Sequence, residues 1–365
     1  MIYLDNGATS FHKPPGVRAA MVQAMQTCAN PGRGGHRAAM AAAERVYHCR
    51  ETAGKLFSCQ PEQVVFTSNC THGLNIAIST LVRSGDPVLI SGFEHNAVTR
   101  PLHALGATIT VAGRHLFDPA DTLLQWEAAL KKRPKAAIFT HVSNVFGYIL
   151  PVAEMAALCR RYGVPFVMDA AQSAGMLPVD FTGLGADFIA MPGHKGLLGP
   201  QGTGLLLCGR LPEALLCGGT GSNSLEQTMP DFLPDRAEAG TLNVPGIAGL
   251  DAGMCYVNKM GLKTILRREQ LCARRCVDGL RALGLRVYAG EHQSGTVSFV
   301  GRMDCQEAAA MLAEQGIAVR AGLHCAPLAH ESAGTLETGT VRVSFGHDAD
   351  KAQTDAFLRA AKKLR

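Results

Sequence analysis

At 365 residues, with 47% hydrophobic and 18% charged side chains, the chain has the apolar mass for a large buried core and is neither disordered nor fibrous. Its formal charge of +5 comes without any block of Lys and Arg, which speaks against nucleic acid as a partner, because neutralising phosphates takes clustered cations. No run reaches the roughly 18 apolar residues of a membrane helix, and MIYLDNGATS lacks the basic start and apolar stretch of an export signal, so a cytoplasmic protein with no membrane partner is expected.

In chain order, the opening residues read as extended. From about residue 36, helical and strand patterns alternate, beginning with an alanine-rich helix over 36–57. Short apolar runs follow at 64–67, 87–91, 108–111, 136–140, 165–169, 187–191 and 202–208. Helix-like stretches lie between several of them, at 71–83, around Trp126 and at 151–163. Strands without clean alternation, interleaved with helices, predict an α/β domain on a buried, mostly parallel sheet. After about residue 250 a helix-rich stretch leads to TVSFV (296–300), IAVR (317–320) and VRVSF (341–345), the pattern of a smaller α+β domain with an antiparallel sheet. The expected division is a large domain over 15–250 and a small one from 1–14 with 251–365.

The 12 cysteines include no C-x-x-C pair, so neither a metal centre nor a disulfide framework is expected. Cys272 and Cys276 sit one helical turn apart, as on a helix face. Most such cysteines are small core residues.

Two segments carry chemistry together. In VMDAAQSAG (167–175), Asp169 closes an apolar strand, at the carboxyl end where α/β sheets bind ligands; alone it reads equally well as a helix N-cap. In MPGHKGLLGPQGTG (191–204), Lys195 follows a strand end among glycines that allow close backbone approach; alone it reads as a surface lysine in a glycine-rich hairpin. A strand-end carboxylate followed by a lysine in a small-residue turn is what pyridoxal 5'-phosphate requires: an amine for a Schiff base, and an anion for the pyridinium nitrogen.

With these motifs in order, from YLDNGATS to TVRVSFG, the chain resembles class V, fold-type I pyridoxal-phosphate enzymes over nearly its whole length, and among them cysteine desulfurases of the SufS-like and selenocysteine lyase-like group. The resemblance implies a fold-type I architecture, with a seven-stranded-type sheet flanked by helices. It makes Lys195 the Schiff-base lysine, Asp169 the pyridinium partner, Gln172 a hydrogen bond to the phenolic oxygen, and His95, in FEHNAV, the imidazole stacked on the ring. His194 resembles a phosphate-side histidine. Cys70 and Thr71, in TSNCTHGLN, would hold the phosphate at a helix N-terminus. Gly240 and Thr241, in EAGTLN, would complete that site in a partner subunit, making the active unit a homodimer. Asn144 falls near the ring and the substrate carboxylate, and Arg342 matches the arginine that grips that carboxylate, for which a planar fork suits better than an ammonium. Arg33 and His36 fall in a glycine-rich entrance segment. The chain departs from the family at Pro192, where relatives carry a phosphate-binding Ser or Thr, and at His72, where an acidic residue is common.

Cys325 is the exception among the cysteines. RAGLHCAP (320–327) matches the catalytic-cysteine segment of the SufS-like form, and a nucleophilic thiol must be accessible rather than packed. The resemblance implies L-cysteine as substrate, L-alanine as product, a persulfide on Cys325 and a sulfur-acceptor protein. L-selenocysteine is the alternative substrate. An aminotransferase or β-lyase in which Cys325 is not catalytic is the alternative reaction.

Overall fold

The structure, a computed structural model, describes residues 1–32 and 34–364. Seven strands form one sheet in the order Val64–Thr67, Gly204–Cys208, Phe188–Pro192, Phe166–Asp169, Ala136–Thr140, Pro87–Ser91, Thr108–Ala112. Gly204–Cys208 runs antiparallel to both its neighbours and the other pairs are parallel. Helices cover both faces, so the inner strands are buried and apolar up to their carboxyl ends: every residue of Ala136–Thr140 and Phe188–Pro192 is buried. The edge strand Thr108–Ala112 instead alternates towards solvent. Trp126, from the helix Pro119–Leu130, is fully buried edge-on to Phe139 at 5.5 Å, a site where truncation to alanine costs about 3–5 kcal/mol.

The strand runs expected from the sequence are all present, within a residue or two. The helix Pro15–Thr27 was not among the expected elements; it packs on Val244–Met260, where Gly249 leaves room for Met21.

A four-stranded antiparallel sheet, Arg320–Gly322, Thr340–Ser344, Thr296–Val300, Arg286–Tyr288, lies beyond the large one. The run IAVR is divided rather than continuous. Ile317–Ala318 pairs in parallel with Ile2–Tyr3, whereas Arg320–Gly322 pairs with Thr340–Ser344. One short run thereby serves two sheets and brings the first residues of the chain against its last third.

Candidate active site

Each parallel strand of the large sheet ends on the same side, so the residues just beyond those ends converge. Asp169 ends its strand and is 3% exposed. Its Oδ1 accepts from the Ala171 amide at 2.8 Å and from the Cys70 thiol at 3.5 Å. Its Oδ2 has no hydrogen-bond partner among the described residues. Lys195 lies in the turn after Phe188–Pro192. Glycines hold that turn close: a Cβ on Gly193 would strike the Thr203 hydroxyl, and one on Gly196 the Ala174 carbonyl. Lys195 Nζ, too, has no hydrogen-bond partner among the described residues. Burial lowers its pKa against the opposing pull of Asp169, which favours the free amine that attacks an aldehyde. An unpartnered amine and an unpartnered carboxylate oxygen, electrostatically coupled in one buried site, fit the aldehyde and ring nitrogen of pyridoxal phosphate.

His95 caps the helix Asn96–Ala104, its Nδ1 accepting from the Ala97 amide at 3.0 Å. The ring proton is therefore on Nε2. Burial, then the positive charges of Lys195, Arg320, Arg100 and Arg342, hold this imidazole down at about 4, so it is neutral at neutral pH and can stack or take a proton.

Behind it, Glu94 is fully buried. Its Oε1 accepts from the Ser91 hydroxyl and from the Thr140 amide at 2.8 Å, and its Oε2 has no partner among the described residues. Burial pushes this carboxyl up to about 8. Between the ordinary glutamate value of about 4.3 and that figure, the unfolded chain sheds a proton the folded one keeps, so stability falls as pH rises through the window. Denaturant unfolding at about pH 5 and about pH 8 should show the wild type losing on the order of 2 kcal/mol more than Glu94→Gln.

Arg342, on the strand Thr340–Ser344, is 1% exposed. It donates to the Asn144 carbonyl at 3.0 Å and to Asp5 Oδ1 at 2.6 Å, while its Nε has no partner among the described residues. Arg320 lies directly across the strand pair from it. Like charges opposite one another are unfavourable unless an anion lies between them; Asp5 supplies part of that charge, and the free Nε–H leaves a donor for another carboxylate.

Cys325 is exposed, and both His324 and Cys325 are left-handed, with φ of 50° and 56°. Such backbone in residues with a Cβ costs about 1–3 kcal/mol each and persists only where neighbours fix it. Here Asn144 Nδ2 donates to the His324 carbonyl at 2.7 Å, and the Asn96 amide to the Cys325 carbonyl at 2.7 Å. His324 itself is buried, its Nε2 within 3.2 Å of Thr340, and burial drops its pKa to about 2. The thiol is thus presented outwards on a fixed turn, with an Arg320 N–H donating to its sulfur at 3.7 Å. Arg320 also acts electrostatically on Lys195 and His95, and Asn96 directly follows His95, so amine, imidazole, guanidinium and thiol belong to one site.

The family model for "Aminotransferase class-V" matches residues 2–357. The chain belongs to the aminotransferase class-V family. It is 34% identical to a "Probable cysteine desulfurase" of Methanothermobacter thermautotrophicus, over 94% of this chain and 90% of that one. It is 33% identical to a "Cysteine desulfurase" of Escherichia coli strain SE11, over 89% and 84% respectively. Among solved structures, the apo cysteine desulfurase from Thermococcus onnurineus NA1 superposes with a TM-score of 0.91 at 32% identity, covering 100% of this chain and 94% of that one.

In this class-V chain the remaining expected residues are placed as follows. Gln172 donates to the Gly7 carbonyl at 3.0 Å and lines a small cavity with Lys195. Cys70 and Thr71 begin the helix Cys70–Leu81; their amides make no hydrogen bond within the described chain, while Asn69 caps the next amide, of His72, at 2.9 Å. These two free amides suit an anion. The Cys70 side chain, however, is turned to Asp169. His194 Nδ1 pairs with the Thr9 hydroxyl at 3.0 Å, which ties its ring to the N-terminal segment. Pro192 is buried at the end of its strand. Gly240 and Thr241 are exposed and do not line the Lys195 cavity. His36 is an exposed N-cap, its Nδ1 accepting from Ala39 at 3.4 Å, and does not line that cavity either. Arg33 lies outside the described residues. Sequence reading missed Asp5, Glu94 and Arg320 as site residues of this class-V fold. Arg320 was within reach, since it opens the cysteine motif itself.

Proposed function

We propose that the chain is a pyridoxal-phosphate-dependent cysteine desulfurase that converts L-cysteine to L-alanine and keeps the sulfur as a persulfide on Cys325. The observation that carries this reading is the outward thiol of Cys325, held on a left-handed turn beside Arg320, at the site of Lys195 and Arg342. The bound cofactor supplies an electron sink for a carbanion at the substrate Cα. Asp169 would pair with its ring nitrogen, His95 would stack on the ring, and the free amides of Cys70 and Thr71 would hold the phosphate. Lys195, an amine with a lowered pKa, takes and returns the Cα proton. Arg342, oriented by Asp5 and Asn144, grips the substrate carboxylate.

The Cys325 thiolate attacks the substrate sulfur. An S–S bond forms, the Cβ–S bond breaks, and its electron pair remains with carbon, which takes up a proton. The balance is L-cysteine and a thiol to L-alanine and a persulfide, with no outside oxidant or reductant. L-selenocysteine would react by the same step. A sulfur-acceptor protein then discharges Cys325.

In this reading the enzyme acts in the cytoplasm as a homodimer, with Gly240 and Thr241 serving the partner's phosphate site; their exposure in the single chain supports this. The large domain spans 15–250 and the small one 1–14 with 251–365, as the pairing of Ile2–Tyr3 with Ile317–Ala318 favours. Incubating cofactor-loaded protein with L-cysteine and a thiol reductant should release alanine and sulfide in equal amounts. Pyruvate in place of alanine, or no amino-acid turnover, would refute the assignment.

A further inference from the structure

Lys13, two residues before the helix Pro15–Thr27, is half-buried, and its ammonium makes no ion pair with any described residue. Burial lowers its pKa to about 8 with no acid opposing the shift, so it is still mostly charged at neutral pH. A cation drawn out of water needs strong acceptors in return. The acids of this region do not supply them. Asp348, which like Lys13 acts on His347, is engaged with His12 at 2.7 Å. Glu269, on the helix Leu262–Ala282, shares a small cavity with Ser10, but it is 8% exposed and burial pushes it up to about 8, so it keeps its proton at neutral pH. What Lys13 meets instead is one backbone carbonyl. Its Nζ donates to the His194 oxygen at 2.9 Å and to the Ser10 hydroxyl at 2.5 Å. The same His194 oxygen receives the Ser10 amide at 3.0 Å, the Ser10 hydroxyl at 3.0 Å and the Thr9 hydroxyl at 3.1 Å. A carbonyl has two lone pairs. Four donors converge on this one, and the charged donor makes the strongest bond.

That carbonyl belongs to the peptide unit whose nitrogen is that of Lys195. Because Lys195 Nζ has no hydrogen-bond partner among the described residues, nothing at its tip aims it, and its direction is set from the backbone. One side of the turn is tied down by the Gly193 amide, which donates to the Thr203 carbonyl at 2.8 Å, and by the Leu198 amide, which donates to the Lys195 carbonyl at 2.9 Å. The other side is tied by the N-terminal segment through the His194 oxygen. We propose that Lys13 is a positioning residue for Lys195: its ammonium, donating to the His194 carbonyl, fixes the peptide unit from which the Lys195 side chain springs, and with it the aim of that amine at the substrate Cα. The inference rests on the reading of Lys195 as the lysine that moves the Cα proton. Lys13 acts through the peptide and not at the reacting atoms. The same N-terminal segment sends Asp5 to Arg342 and the Gly7 carbonyl to Gln172; those contacts, and the Ser10 amide on His194, remain when Lys13 is changed.

The test compares full-length, cofactor-loaded wild type with Lys13→Met and Lys13→Arg. In Lys13→Met, borohydride should still fix the cofactor on Lys195, and KM for L-cysteine should stay within about twofold of wild type, because Arg342 keeps its partners. Both kcat for alanine and the exchange of the substrate Cα hydrogen with deuterium should fall about 10- to 100-fold, the effect of displacing a reacting group by about an ångström. Backbone amides of 193–199 should take up deuterium faster than in wild type, a readout independent of turnover. Lys13→Arg, which keeps a charged donor, should recover most of the rate and of the amide protection. Cα exchange at the wild-type rate in Lys13→Met would overturn the proposal, as would slowed exchange with unchanged deuterium uptake over 193–199. Loss of the cofactor, or a KM that rises as kcat falls, would also overturn it and make Lys13 a residue of the fold alone. The wild type is read first: cofactor mass on a lysine other than Lys195 there would remove the premise, and the proposal with it, before any variant is compared.

Discussion

The Lys195→Ala variant is expected to fold, to bind the cofactor without a covalent link, and to release alanine from L-cysteine about 10^4-fold more slowly than wild type or worse. Lys195 Nζ has no hydrogen bond in the described structure, so its removal strands no partner beyond Asp169, whose ionised form it helps to maintain. The fold should therefore survive, and the loss should fall on chemistry. Borohydride reduction reads the covalent link directly: treated wild type should carry the cofactor's mass on the peptide containing Lys195, and the variant should carry none. A small primary amine in the buffer should restore part of the rate, because the cavity left by the side chain admits an amine of similar basicity. Full activity in the variant, or cofactor mass on a different lysine, would contradict the site as built here.

Several parts of this arrangement were legible in the residues themselves. The large sheet announced itself through unbroken apolar runs such as AAIFT and FIAM, because strands buried on both faces need no polar alternation. Lys195 and Asp169 stood out as charges set directly against such runs. The ring of contacts around Arg342 was not legible. Its partner Asp5 is 337 positions away in sequence, and the pairing of Ile2–Tyr3 with Ile317–Ala318, continued by a bridge from Asp5 to Ser344, brings the two together. Length also hid Arg286–Tyr288, since three residues give no period to read. Glu269 did leave a signal, a charge in the apolar stripe of Ile265, Cys272 and Cys276 on the helix Leu262–Ala282. What sequence could not say is that a cavity, rather than a basic side chain, faces it. The strained turn at Cys325 was equally hidden, since neither His324 nor Cys325 is a glycine that would mark left-handed backbone in the sequence. Asn96, at the start of a helix, and Asn144, in a loop, both beyond strand ends of the large sheet, are what hold it.

That turn makes Cys325→Ala the sharper experiment. The side chain is exposed, and the hydrogen bonds that fix the turn run through the backbone carbonyls of His324 and Cys325, so alanine should leave the geometry in place. Lys195, His95 and Arg342 are untouched. The variant should therefore bind L-cysteine with near-wild-type affinity and continue to exchange its Cα hydrogen with solvent deuterium. Alanine release should fall by about 10^3-fold or more, because no other group replaces a positioned sulfur nucleophile, and no persulfide should be detected by mass. The split between retained exchange and lost alanine separates a nucleophile from a structural cysteine, whose removal would reduce both or neither. Cys325→Ser makes the comparison stricter, since a hydroxyl keeps the size of the group but is a far weaker nucleophile than a thiolate. Were either variant to release alanine from L-cysteine at the wild-type rate, the outward thiol would be incidental, and the same lysine and arginine would have to serve a reaction that needs no sulfur acceptor on the chain.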